Sequence, residues 1–484
     1  MKKLLISLLC LLISVSMLFS CNKKETDGDY DTAADFTPED GEIFADVPNE
    51  RYDSYTFRVL NAKAGSSASR MDTETVDGDN LNDALYKRNI NVEERLDVKI
   101  EEVYDTPKIV FDTAVAACLS GEGTYAAVCN TADYMATMAV CGYLVTDEYL
   151  TGIDLSKPWW NYSAIDSASV DRAYFFFFGD LQCSYLDAHS MVGVNIDMID
   201  DVDGLPDPYS LVKRGKWTYD AMLEMMKATS ADLDGNSIAT YDDRYGTATD
   251  SSCLIPLMIG CNTRMSTRDE YGLPFMSCFT DEKFYDVFAL VSDTLYERCD
   301  YVYDTVKNEA DGISPAYHFK NGHSLFYITN VGSLAKLRDM DYEFGVLPMP
   351  KYNEKQKDYV SFISAKDASA IGVMATGRNL LRTGNIIENL CAESHRKGGL
   401  RDCYVDTVLA FKYVNDEKSR ENLTTILNAG TFEPAEIYGW GGLCDKLIGI
   451  EGKSEVFAST LASVRLKSLS DISDTVGEVN KHRQ

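Results

Sequence analysis

The sequence has few histidines and no closely paired cysteines, so most metal-dependent and redox functions have little support. Its five histidines are isolated from one another or lie at the end of the chain, and no two cysteines are separated by two residues. Cys-x-x-Cys pairs form most structural zinc sites and redox-active centres. No Gly-x-Ser-x-Gly elbow, phosphate-binding Walker loop or His-Glu-x-x-His motif occurs either. We therefore expect a protein that is not an enzyme and that requires no cofactor.

Positive charge is also scarce. The chain has 46 lysines and arginines against 76 aspartates and glutamates, and its formal net charge is −30. A surface of this sign repels phosphate backbones. We therefore expect no nucleic-acid partner.

Only one long apolar run exists, and it lies at the N-terminus. Residues 4–19 follow Lys2 and Lys3 and are interrupted by serines. The run is shorter than the roughly 20 residues that a membrane span needs, although an uncleaved membrane helix is the alternative. The segment Leu18-Phe19-Ser20-Cys21 resembles a bacterial lipobox, so we predict a lipoprotein signal peptide at 1–20 and lipidation of Cys21. The expected location is the extracytoplasmic face of the cell membrane, to which the lipid anchors the chain.

The cysteine count is odd after processing. Of thirteen cysteines, Cys10 leaves with the signal peptide and Cys21 carries lipid, so eleven remain. An odd number without a regular spacing argues against a disulfide framework. The sequence predicts buried free thiols.

Beyond the signal, the chain alternates between strand and helix patterns. Residues 21–51 are acidic and poor in large apolar groups, which predicts a flexible tether. The alternating run Tyr55–Leu60 predicts a strand, the spacing from Leu81 to Leu96 a helix, and Val98–Val103 a second strand. This order predicts an α/β fold with parallel strands.

Four stretches carry a resemblance to a known family. They are Asn82-Asp83-Ala84-Leu85-Tyr86-Lys87-Arg88-Asn89, Gly215-Lys216-Trp217-Thr218, Phe319-Lys320-Asn321-Gly322-His323-Ser324-Leu325-Phe326, and Gly345-Val346-Leu347-Pro348-Met349-Pro350-Lys351. In this order they resemble the extracellular solute-binding lipoproteins of bacterial carbohydrate ABC transporters, the family related to maltose-binding protein. The resemblance spans roughly residues 55 to 440.

The resemblance implies the type II periplasmic-binding-protein-like fold, in which hinge strands join two α/β lobes around a ligand cleft. Applied to this chain, it predicts that lobe one comprises 52–184 and 325–397, and that lobe two comprises 185–324 and 398–484. It implies a monomer that captures a sugar or oligosaccharide and delivers it to an ABC permease. Two alternatives stay open: a secreted glycan-active enzyme, and a binding protein for a peptide or another polar solute.

Sugars stack on aromatic rings and hydrogen-bond to polar groups. Six side chains are candidates for these contacts. Trp440 lies among glycines that allow a close approach, Trp159 and Trp160 follow a proline in a loop, and Tyr185 follows the first predicted crossover. Asp180 and Asp133 each follow a predicted strand, where a carboxylate of an open α/β sheet points at the crevice. Core packing is the alternative for the rings, and a capping role for the carboxylates. Trp217 precedes a helix, so we predict that it packs in the core.

One acidic loop has the ligand spacing of a calcium site. Asp232, Asp234, Asn236, Ile238, Thr240 and Asp243 occupy positions 1, 3, 5, 7, 9 and 12. Ser237 stands where position 6 usually has glycine, and Asp243 where position 12 usually has glutamate. A solvated acidic loop is the alternative to a structural calcium site.

Overall fold

A computed structural model describes residues 50–63, 69–413, 416–450 and 454–483 of the chain. The predicted signal peptide, Cys21 and all but the last two residues of the predicted tether lie outside these residues. No helix in the described part of the chain is both long and apolar enough to cross a bilayer. All eleven cysteines beyond Cys21 are free thiols. Six of them are buried, as the sequence predicts, whereas Cys141 and Cys299 are exposed and the remaining three are half-buried.

Strands are spread along the whole chain. They are β1 (Tyr55–Ala62), β2 (Val98–Asp105), β3 (Ala127–Thr131), β4 (Ser190–Asn195), β5 (Tyr245–Thr249), β6 (Thr267–Arg268), β7 (Pro274–Phe275), β8 (Val302–Asp304), β9 (Ser324–Asn330), β10 (Phe344–Leu347), β11 (Ser361–Phe362), β12 (Ser369–Val373) and β13 (Gly430–Thr431).

Helices alternate with these strands and dominate the last quarter. They are α1 (Asn80–Leu96), α2 (Pro107–Ser120), α3 (Ala132–Val140), α4 (Tyr162–Ala168), α5 (Ile196–Asp200), α6 (Pro208–Lys213), α7 (Tyr219–Thr229), α8 (Leu254–Gly260), α9 (Glu282–Ser292), α10 (Pro315–Lys320), α11 (Leu334–Leu337), α12 (Leu380–His395), α13 (Leu400–Asp402), α14 (Glu417–Asn428), α15 (Pro434–Ile437), α16 (Leu443–Gly449) and α17 (Ser454–His482). Wider π-helical turns extend α9 over Asp293–Glu297 and α13 over Cys403–Tyr413.

The first sheet forms the core of lobe one and has the strand order β12-β3-β1-β2. Strands β1, β2 and β3 are parallel, as the strand–helix alternation predicts, and β12 pairs antiparallel with β3. Phe57 and Val59 of β1 are fully buried. Helix α1 begins at a local signal, because the Asp79 side chain accepts hydrogen bonds from the N–H groups of Leu81 and Asn82.

The second sheet forms lobe two and has the strand order β10-β4-β9-β5-β8. Strand β9 pairs parallel with β5 and antiparallel with β4, so both of its edges are occupied. Trp217 packs beneath this sheet with no exposed surface, and its indole N–H donates to the Pro348 carbonyl. The sequence-based assignment of Trp217 to the core is confirmed.

The predicted lobe boundary at residue 325 is wrong. Strands β9 and β10 belong to the second sheet, because β4 pairs with both of them. The chain returns to the first sheet only between β11 and β12, at residues 363–368. Hydrogen bonds along both edges of β9 decide its lobe, and a motif read along one segment contains no information about strand neighbours.

The C-terminal segment contacts both lobes, whereas the sequence assigns 398–484 to lobe two alone. Helix α17 contacts α3 of lobe one and α9 of lobe two. Its Phe457 ring stacks on Phe288 of α9 with centroids 3.7 Å apart. At its other end, Arg483 pairs with Glu148 of lobe one at 2.6 Å. The helix therefore braces the two lobes against each other.

Candidate functional site

The two lobes meet where strands of both sheets end. Strand β3 of lobe one ends at Thr131, and strands β5 and β9 of lobe two end at Thr249 and Asn330. The carboxyl ends of strands in open α/β sheets are the usual location of ligand sites, because loops there can vary without disturbing the sheet.

A cavity of about 150 Å³ lies at this edge of lobe two, beside the segments that cross between the lobes. Lobe two contributes residues that follow β5 and end β9, and the crossing segments contribute the remainder. The lining residues are Ala188, Ser190, Ser252, Pro256, Ile328, Thr329, Asn330, Phe362, Ser364 and Asp367. Most of them carry hydroxyl, amide or carboxylate groups, so the cavity is suited to a polar ligand.

Two of these side chains have hydrogen-bonding capacity left over. The carbonyl oxygen of the Asn330 side chain accepts from the Ser333 N–H at 3.2 Å, whereas its amide nitrogen has no partner among the described residues. Asp367 is exposed and forms no ion pair within the described part of the chain. A donor and an acceptor therefore remain for a ligand. Ser252, by contrast, already donates to Asp250 at 2.5 Å.

Two further carboxylates lie beside the segment that carries Asp367. Asp133, in the first turn of α3, accepts a hydrogen bond from the Thr131 hydroxyl at 2.5 Å. Glu436 of α15 accepts from the Ala365 N–H at 3.2 Å. Burial raises the pKa of Glu436 to about 8, against the opposing effects of the Ala365 N–H and the Lys366 ammonium.

Comparison with known proteins identifies the architecture. No family model and no curated protein sequence matches the chain. Among solved structures, a cyclo/maltodextrin-binding protein complexed with maltotetraose superposes with a TM-score of 0.57 at 12% identity, over 90% of this chain and 98% of that one. A sugar transporter from Rhizobium etli in an open conformation superposes with a TM-score of 0.55 at 11% identity, over 88% and 99%. The maltose-binding protein of Listeria monocytogenes, in complex with maltose, gives 0.54 at 12%, over 89% and 99%.

The chain has the type II solute-binding-protein fold. The superpositions show the fold, and at identities of 11–12% they leave the ligand open.

In this solute-binding fold Trp440 is a core residue. It has no exposed surface, its indole N–H donates to the Thr475 hydroxyl at 3.1 Å, and its ring stacks on Tyr438 at 5.5 Å. Helix α17 covers it. The glycines beside it adopt positive φ angles, 64° at Gly439 and 68° at Gly441, so they shape the turn into α16. The structure gives no support to ligand stacking on this ring.

Trp159 and Trp160 are likewise buried, and they share one partner. Their indole N–H groups donate to the two oxygens of Glu388, at 3.1 and 2.9 Å. Glu388 is 1% exposed, and burial raises its pKa to about 7. The two rings and the carboxylate form a polar contact inside lobe one, away from the cavity lining.

Asp180 and Tyr185 are buried at the first crossover. Asp180 is hydrogen-bonded to His395 at 2.5 Å and pairs with Arg401 at 3.3 Å. Burial raises the pKa of Asp180, although both partners favour its charged form. Tyr185 packs against Phe178 with centroids 5.9 Å apart. Asp180 thus ties the first crossover to the end of α12 and to α13, which is a positioning role.

The predicted calcium loop brings its carboxylates together. One oxygen from each of Asp232, Asp234 and Asp243 lies within 4.8 Å of the others. Oxygen ligands at 2.3–2.6 Å from calcium lie at most about 5 Å apart, so this set fits the ion. Ser237 adopts a φ of 62°, the left-handed conformation that the sixth position requires. The roles of Asn236, Ile238 and Thr240 as ligands stay predictions.

Sequence reasoning missed the residues that line the cavity. Asn330 is the last residue of strand β9. The argument that selected Asp133, a polar residue just after a predicted strand, could therefore have found Asn330 as well. The misplaced boundary at 325 put β9 in the wrong lobe, however. Ser190, Ser364 and Asp367 carry no local signal, because the two crossing segments become neighbours only in the folded chain.

Proposed function

We propose that the protein is a substrate-binding component of an ABC transporter, which captures a sugar between its lobes and delivers it to a permease. The observation that carries this proposal is the polar cavity at the strand ends, lined by lobe two and by the segments that cross between the lobes. Such a cavity can enclose a ligand on closure. Solved neighbours of the same fold hold maltotetraose and maltose.

The size of the cavity bears on the ligand. At about 150 Å³ it is smaller than the roughly 300–1,000 Å³ typical of small-molecule sites. A single small polar molecule such as a monosaccharide fits this arrangement best. An oligosaccharide requires the lobes to separate, which would break the pairing of Arg268 in lobe two with Asp166 in lobe one at 3.1 Å.

The proposal includes anchoring outside the cytoplasm. The Leu18-Phe19-Ser20-Cys21 segment supports cleavage and lipidation at Cys21, after which the acidic stretch would link a monomeric binding domain to the membrane. Loss of Lys2 and Lys3 with the signal takes the net charge from −30 to −32.

The first test is a thermal-shift screen with mono- and oligosaccharides, followed by calorimetry with the best ligand. A ligand that binds only the folded state raises the melting temperature. We expect Asp367→Ala to weaken sugar binding by about 1–3 kcal/mol, because it removes a charged carboxylate that accepts a hydrogen bond from the ligand. Asp367 is exposed and forms no ion pair among the described residues, so the melting temperature of the ligand-free variant should equal that of the wild type.

The matched control is Asp286→Ala, an equally exposed aspartate on α9, which should bind the sugar as the wild type does. Equal affinity of wild type and Asp367→Ala would exclude this cavity as the sugar site. Turnover of a bound glycan would favour a secreted glycan-active enzyme. A thermal shift with peptides alone would favour a binding protein for a peptide or another polar solute.

We also propose that the loop at 232–243 binds calcium as a structural ion. Its convergent carboxylates support this, and hydrogen bonds within the loop orient them: the N–H groups of Gly235 and Ser237 donate to Asp232 at 2.8 and 2.7 Å. The N–H of Ser237, the largest of several effects, lowers the pKa of Asp232. Asp232 therefore stays ionised, as calcium requires.

Calcium is expected to raise the melting temperature and a chelator to reverse the rise. At a free concentration 100 times the dissociation constant, the stabilisation is about 2.7 kcal/mol. Asp234→Ala should abolish the response, whereas Asp242→Ala, an exposed neighbour outside the carboxylate set, should keep it. Sugar affinity should not change. If calcium does not change the melting temperature of the wild type, the proposed calcium site is contradicted.

A further inference from the structure

A second cavity, of about 390 Å³, lies at the opposite end of the first sheet from the cleft. Its walls are the first residue of β1, the loop before β3, and the segment from Gly377 into the first turn of α12. Strands β1 and β3 are parallel, and this cavity lies where they begin. The cavity proposed for the sugar shares no lining residue with this one, so the two cavities are separate.

Two arginines of this cavity have no acidic partner. Neither Arg378 nor Arg382 forms an ion pair within the described residues, in a chain with 76 acidic against 46 basic side chains. The Arg382 guanidinium lies 3.4 Å from the centre of the Tyr55 ring, which fixes its position. Its Nε atom is buried without a hydrogen-bond partner in the described part of the chain. Arg378 lies against Gly123 on the opposite wall.

Helix α12 begins beside the two arginines and runs for sixteen residues from Leu380, so its dipole adds positive potential at this end. The N–H groups of Arg382 and Thr383 are already bonded to Asn379, so the side chains provide the donors. Thr383 in this turn also lines the cavity, and its hydroxyl has no hydrogen-bond partner among the described residues, so it remains able to donate to a ligand.

We propose that this cavity binds the phosphate group of a small organic phosphate or of a lipid head group. The planar guanidinium matches a phosphate in geometry and charge. One carboxylate, Glu122, also lines the cavity, and it is outweighed by two guanidinium groups and the helix terminus. The volume lies in the range of small-molecule sites, and Tyr55 and Tyr125 provide ring surface for the organic part.

The test uses calorimetry at constant ionic strength on the full chain carrying Cys21→Ser, so that no lipid anchor contributes. The probes are glycerol 3-phosphate, inorganic phosphate, and vesicles of phosphatidylglycerol or phosphatidylcholine. We expect one site for a phosphate probe, weakened at least tenfold in the double variant Arg378→Gln/Arg382→Gln. Arg465→Gln, which removes an exposed arginine near the Phe279 ring, is the matched control.

Two milder variants cover the case in which the double variant does not fold. Thr383→Val keeps the buried shape without the hydroxyl, and Arg378→Gln changes an exposed side chain; each should weaken phosphate binding severalfold. Binding of glycerol 3-phosphate alone would identify a soluble ligand, and retention on phosphatidylglycerol vesicles alone would identify the lipid head group. Equal behaviour of wild type and all variants toward every probe would overturn the proposal. Sugar affinity should be unchanged throughout, which separates this outcome from a failure of the proposed function.

Discussion

Replacing Trp440 by alanine is expected to lower the free energy of unfolding by about 3–5 kcal/mol, because it deletes a fully buried indole and leaves a cavity beneath α17. The Thr475 hydroxyl also loses its donor. Sugar affinity, measured by calorimetry where the variant is folded, should equal that of the wild type. The stability change is measured by urea unfolding.

Two further variants complete the Trp440 test. Trp440→Phe keeps most of the ring volume and should lose only about 1–2 kcal/mol, mainly through the hydrogen bond. Leu466→Ala, on α17 but 83% exposed, should have almost no effect. If Trp440→Ala has the stability of the wild type but binds sugar more weakly, Trp440 contacts the ligand, as the sequence predicts, and is not a core residue.

Glu388→Ala should destabilise the protein by about 3–5 kcal/mol, because it leaves two buried indole N–H groups without an acceptor. Each such group costs about 1–3 kcal/mol. Urea unfolding at pH 5, where the carboxyl is protonated, measures the loss. Glu421→Gln, a change to an exposed glutamate on α14, is the control and should be neutral.

The same carboxyl makes stability depend on pH. Its pKa rises from an ordinary 4.5 to about 7 in the folded protein, so between these values the folded state binds more protons than the unfolded state. Its contribution, about 3 kcal/mol, is fully present below pH 4.5 and is lost as the pH rises through 7. Glu388→Gln cannot ionise. The fall in stability from pH 5 to pH 8 should therefore be about 3 kcal/mol smaller in this variant than in the wild type, and equal pH profiles would contradict the assignment.

Features set by neighbouring residues could be predicted from the sequence. The alternation of strand and helix gave the α/β class and the parallel strands, because hydrophobic periodicity reports which face of an element is buried. The clustering of carboxylates in the calcium loop could also be predicted from neighbouring residues. Asp232, Asp234 and Asp243 lie within twelve residues of one another, and hydrogen bonds inside the loop bring them together. Trp217, placed directly before a helix, packed in the core as predicted.

Features set by distant residues needed the tertiary structure. Trp159 and Glu388 are 229 positions apart, so no local pattern could show that a buried carboxylate accepts the indole N–H. The lobe of β9 depended on its two strand neighbours, and the polar cavity depended on segments around Ser190 and Ser364 that meet only in the folded chain. The sequence by itself determined the elements and the class of fold, because these follow from short-range geometry. Only the tertiary structure decided which rings are core, where the lobes divide and which side chains face a ligand, because burial depends on every element packed around a residue.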